Sequence, residues 1–169
     1  MTTKAAFSPE EWKVVLEGPA TAGTIVVTAA RGGMFRETIA MAKAYTDARA
    51  EHGASELLDE IVAAKPHIEH TRYRSAEELR ENGLEHLRNA VALLQDKATA
   101  EELDDYRRFV LALANKVAAA HREGGQGVSP AEAEAIEQIT AALGTASSLR
   151  RPRGMKLIPT AREPAIWAR

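Results

Sequence analysis

The sequence predicts an all-α protein. A multi-helix bundle of about six or seven helices fills residues 1–144, and a basic, extended C-terminal arm follows at 145–169. Three observations carry this. Alanine supplies 33 of the 169 residues, while aromatic residues make up only 5%. Ala, Leu, Glu, Arg and Lys have the best helix propensities, and so thin an aromatic content fits a β-sandwich or barrel poorly. A Ser or Thr stands three residues before a Glu at Ser8/Glu11, Ser75/Glu78, Thr99/Glu102 and Ser129/Glu132. That spacing is the capping box, in which hydroxyl and carboxylate satisfy two otherwise unbonded amides at a helix start. Apolar residues also recur at spacings of three and four, as in Leu84, Leu87, Val91 and Leu94.

The elements follow in order. Ser8 and Pro9 open a helix at 9–17, with Phe7 and Trp12 spaced as a hydrophobic staple. Gly18 and Pro19 read as its stop, and a second helix is expected at 19–30. Its Thr24-Ile25-Val26-Val27-Thr28 run has strand propensity, but an isolated strand has no partner in this chain, so it is read as helix. Further helices are expected at 34–51, 55–64, 76–96, 100–122 and 130–143. The short link around Lys97–Thr99 makes the two long helices antiparallel neighbours. Gly124-Gly125 and Gly144 mark later stops. Of the hydrophobic residues only 43 are larger than alanine, so helices approach closely around a thin core, and dimerisation through an Ala/Leu face is a natural expectation.

Charge divides the chain. Residues 1–144 hold 16 Lys and Arg against 23 Asp and Glu, whereas 145–169 hold six basic residues against Glu163. An acidic body therefore carries a basic tail. With 45% hydrophobic residues the chain is not disordered as a whole. With no cysteine it is neither a disulfide scaffold nor a thiol–zinc protein. The N-terminal Met1–Phe7 segment has no apolar stretch of the secretory kind, and the apolar run 24–30 is too short for a bilayer. A cytoplasmic protein without a membrane span is expected.

Candidate chemistry is sparse. His67 and His70, just after Pro66, would share a helix face and could chelate a divalent metal. The further ligand such a site needs could come from Glu85, His86 or His121; the plain alternative is two histidines on a linker or helix edge. Glu77, Glu81 and Glu85 form a self-repelling row, and Glu101, Glu102, Asp104 and Asp105 crowd a helix start that favours acidic residues. Both groups read as solvated surface. Gly124-Gly125-Gln126-Gly127 matches no phosphate-binding loop, and no nucleophile elbow occurs. No catalytic residue is assigned. The arm contains Arg150, Arg151, Arg153 and Lys156, with Trp167 among its apolar residues. That mixture suits docking on an acidic protein surface; the acidic body and the absence of a helix-turn-helix disfavour nucleic acid.

The Phe7-Ser8-Pro9-Glu10-Glu11-Trp12 start, with Pro19, Gly23 and the late Gly127-Val128-Ser129-x-x-Glu132-x-x-x-Ile136-x-x-Ile139 pattern, resembles small bacterial all-helical proteins similar to TerB-like (tellurite-resistance B) domains. The resemblance spans about residues 7–144. It implies a helical fold, a stress-response or accessory role, and metal binding through acidic residues. The family's Asp-rich turn corresponds here to Gly124-Gly125-Gln126-Gly127, which has no carboxylate. The expectation is thus a non-enzymatic helical interaction protein without a cofactor, binding another protein or its own subunit through Arg150, Arg151, Arg153, Lys156 and Trp167. The alternative is a helical bundle that binds a metal or small ligand at His67 and His70 or in an interhelical pocket.

Overall fold

The computed structural model describes residues 1–29, 39, 41–43, 45–47, 55–64, 73–122 and 128–144. These are helical almost throughout and contain no strand. After a 3-10 turn at Lys4–Ala6 come α1 (Pro9–Ala29), α2 (Glu56–Ala63), α3 (Ala76–Lys97), α4 (Ala100–Arg122) and α5 (Pro130–Ala142). Helical backbone also occurs at 39, 41–43 and 45–47, inside the helix expected at 34–51. α1 is the central element and packs against α3, α4 and α5, while α2 lies on α4. The all-α bundle expected from the sequence is what forms. No helix among the described residues is long and apolar enough to cross a membrane.

The capping signals act as local start instructions. Ser8, Thr99 and Ser129 each accept from the amide three residues on, and Glu11, Glu102 and Glu132 each return to the cap amide. At α3 the Ser75 hydroxyl accepts from Glu78, but the Glu78 carboxylate bonds the Arg74 amide one residue earlier. Ser55 caps α2 by accepting from the Leu58 amide. Phe7 and Trp12 meet with ring centroids 5.6 Å apart, as a staple should. Gly144 ends α5 with φ at 74°, a conformation that costs glycine little.

The core confirms a thin apolar set spaced by alanine. Ile25, Leu87, Leu94, Leu113, Val117, Ile139 and Leu143 are fully buried, with Ala90, Ala114, Ala118 and Ala135 packed between the helices. Met41 and Tyr45 also enter this core, and the Tyr45 ring meets Phe109 edge-on at 5.4 Å. Burial of Ile25 and Val26 outweighs the strand propensity of the 24–28 run, and the hydroxyls of Thr24 and Thr28 fold back on the carbonyls four residues earlier.

One boundary differs from expectation. No break separates a helix at 9–17 from one at 19–30, because α1 runs unbroken through Gly18 and Pro19. The reason is non-local and lies in α4.

The N-terminal segment is strapped across the bundle. The Thr2 amide donates to Glu102 at 2.7 Å, and the Lys4 amide donates to Glu60. The Lys97 ammonium bonds both the Ala6 carbonyl and Glu11, and lies 5.7 Å from the Phe7 ring centre. Burial opposes ionisation of Glu102, but the amides and hydroxyls of Thr2 and Thr99 outweigh it and hold its carboxyl down at about 2. A carboxyl held lower in the folded state than the ordinary glutamate value of 4.5 stabilises the fold above that value. The contribution is lost as pH falls from there toward about 2. Urea midpoints measured through that window should fall in the wild type and stay flatter in Glu102→Gln. Parallel slopes would show that Glu102 does not hold the strap.

Candidate functional site

A proline inside a helix removes one donor, so the carbonyl four residues earlier loses its partner. In α1 the proline is Pro19 and the carbonyl belongs to Val15. The Tyr106 hydroxyl, from α4, donates to that carbonyl at 3.0 Å. Tyr106 is fully buried. Burial, with a smaller contribution from Tyr45, pushes its phenol far above the usual range, so the hydroxyl remains a donor at any working pH. Gly18 gives the hydroxyl room, since a Cβ there would collide with it.

One residue earlier the Val14 carbonyl faces α3. His86 Nε2 lies 2.9 Å from it, which places the ring proton on Nε2. The buried Glu17 carboxylate lies 3.9 Å from the same nitrogen and 3.6 Å from the Lys13 ammonium. Three helices thus bring Glu17, His86 and Tyr106 together around Pro19 of α1. Glu17 and Tyr106 are buried and His86 is half-buried, and Tyr106 and His86 bond backbone carbonyls just before Pro19.

Two open grooves lie elsewhere. One, about 430 Å³, is lined by Glu101, Asp104, Arg107, Arg108 and Leu111 of α4. Its arginines are internally committed: Arg107 bonds the Leu143 carbonyl and Asp104, and Arg108 bonds Asp105. The other, about 400 Å³, runs between α3 and α5 past Arg80, Leu84, Arg88 and Gln138. Neither is lined by Glu17, His86 or Tyr106.

The residues singled out in the sequence are distributed as follows. His67 and His70 lie outside the described residues, as do Arg150, Arg151, Arg153, Lys156 and Trp167. His86, considered as a further metal ligand, has Nε2 on the Val14 carbonyl instead. Among the described residues no three His, Asp or Glu side chains are grouped to hold a metal ion. Glu77, Glu81 and Glu85 form an exposed row on α3. Of the crowded carboxylates at the start of α4, Glu102 and Asp105 are buried and bonded, which the reading as solvated surface did not anticipate. Sequence reasoning missed the convergence around Pro19. Its only trace is a Gly-Pro pair in one apolar stretch and a tyrosine in the apolar stripe of another.

No protein-family model, curated protein or solved structure matches the chain.

Proposed function

We propose that this chain is a non-enzymatic helical interaction protein, serving a stress-response or accessory role of the kind its TerB-like resemblance implies, and that its basic arm binds an acidic protein surface on a partner or a second copy. The observation that carries the reading is the use of the buried and half-buried polar groups. Tyr106 and His86 bond carbonyls of α1, Glu102 and Glu132 cap helices, and Asp105 holds Arg108. Groups tied into helix ends and into the backbone before Pro19 are not arranged as an acid and a base of unequal environment in a cleft. That leaves recognition by surface charge, where an acidic body and a basic segment are complementary.

The test uses Trp167 as a reporter in a Trp12→Phe background, since Trp12 is the other tryptophan. The expected result is a Trp167 emission shifted to the blue of free tryptophan that moves back as salt is added. Carbodiimide coupling of mixed light and heavy chains should join Lys156 to carboxylates, and links between unlike chains would identify a second copy as the surface. Emission equal to free tryptophan at every salt concentration, with no Lys156 link, would overturn the reading.

A further inference from the structure

We propose that the Asn82-Gly83 pair of α3 is a self-modification site, at which the Asn82 side chain closes on the Gly83 nitrogen and loses ammonia, and that the folded helix holds the reaction back, so that opening of α3 is recorded as a permanent change of charge. This goes beyond the reading of the chain as an interaction protein and does not depend on it.

The first observation is why the pair exists. Gly83 is buried in the middle of α3, where glycine weakens a helix. Packing demands it there. A Cβ at Gly83 would lie 2.9 Å from the Ile25 Cδ1 and 3.1 Å from the Thr21 methyl of α1. The close approach of α1 thus places a glycine directly after the exposed Asn82. Glycine has no Cβ to hinder its nitrogen or restrict its backbone, so it is the neighbour that most favours ring closure. The other two asparagines, Asn89 and Asn115, are followed by Ala90 and Lys116.

The second observation is how the helix restrains the chemistry. The Asn82 Nδ2 donates to the Glu78 carbonyl at 2.8 Å, which turns the side chain back one turn, away from the Gly83 nitrogen. The helical ladder in turn directs the Gly83 N–H to the Leu79 carbonyl. Ring closure needs both bonds broken. Asn115 makes the same backward bond, to the Leu111 carbonyl at 2.8 Å, and is equally exposed. It is a matched control that differs in the residue that follows.

When α3 opens, the Gly83 nitrogen gives its proton to hydroxide and attacks Asn82 Cγ. The new N–Cγ bond forms, the Cγ–Nδ2 bond breaks, and Nδ2 takes a proton from water and leaves as ammonia. Water then opens the cyclic imide. Attack at Cγ leaves an aspartate, and attack at the main-chain carbonyl leaves an isoaspartate whose backbone runs through the side chain. No electrons are exchanged with any other group. Either product adds a carboxylate four residues after Glu78 and three before Glu85, where like charges repel. Isoaspartate also adds a methylene to the backbone beside Gly83, where α1 leaves no room. The modified helix therefore reopens more readily.

The test incubates the full chain at mildly alkaline pH, in buffer and in denaturing urea, followed by brief trypsin digestion and mass spectrometry. Trypsin releases Asn82, Asn89 and Asn115 on separate peptides, because Arg80, Arg88, Lys97, Arg108 and Lys116 bound them. In urea Asn82 should convert, with isoaspartate as one product, while Asn89 and Asn115 stay largely intact. In buffer conversion should be slower by about tenfold or more, since the interior of a packed helix is open in only a small fraction of molecules. Gly83→Ala, compared in urea where folding plays no part, should convert several-fold more slowly than wild type. Asn82→Asp should lower the urea midpoint. Equal rates in buffer and urea would show that α3 does not restrain the reaction, and would overturn the proposal. Conversion at Asn115 as fast as at Asn82, or an unslowed Gly83→Ala, overturns the assignment of the site. A midpoint unchanged in Asn82→Asp overturns the loosening of α3.

Discussion

Tyr106→Phe should lower the unfolding free energy by about 1–3 kcal/mol, although it removes a single oxygen. The substitution keeps the ring and its packing and deletes only the donor to the Val15 carbonyl. That carbonyl cannot turn to the chain for a partner, because the residue four positions on is Pro19. It lies where Tyr106 is fully buried, so the cost is that of an unsatisfied buried acceptor and not the smaller net value of an ordinary hydrogen bond. Denaturant unfolding of the two proteins checks this. An unchanged midpoint would mean that water reaches the carbonyl, and that Tyr106 does not seal it.

Gly18→Ala should be destabilising by about 2–4 kcal/mol, combining overpacking with a displaced hydrogen bond. The sign is the informative part. In an ordinary helix interior, glycine to alanine stabilises by about 1 kcal/mol. At Gly18 the added Cβ meets the Tyr106 hydroxyl and lies 3.6 Å from a Leu87 methyl. α4 must retreat from α1 or the hydroxyl must leave Val15, and either loses buried contact. The same change in a Tyr106→Phe background should cost less, because the colliding oxygen is already gone. A stabilised Gly18→Ala protein would show that α1 and α4 approach less closely than the fold requires.

How far the sequence discloses this protein depends on whether the deciding interaction is local. Ser8, Ser55, Thr99 and Ser129 act on amides within their own first turn, so their helix starts are legible from a few adjacent letters. Gly144 is equally local. The Gly18-Pro19 pair is misread for the opposite reason. By local rules it stops a helix, yet the donor that lets α1 continue comes from a residue 91 positions along the chain. The 24–28 run shows the same override, since burial of Ile25 and Val26 decides it rather than propensity. The grooves were no more visible, as Arg88 and Gln138 reach one trough only through the packing of α3 on α5. Glu102 lies between these cases: its capping role was spelled out by Thr99, but its second bond, to the Thr2 amide, spans 100 residues.

The most direct measurement of the central claim, that the Tyr106 hydroxyl serves the Val15 carbonyl that Pro19 leaves without a backbone donor, is a double-mutant cycle on Pro19→Ala and Tyr106→Phe. Alanine at 19 restores a backbone N–H for the Val15 carbonyl, so the tyrosine hydroxyl becomes dispensable there. The account predicts that Tyr106→Phe costs about 1 kcal/mol less, or better, in the Pro19→Ala protein than in the wild type. Equal costs in the two backgrounds, with additive free energies, would contradict it.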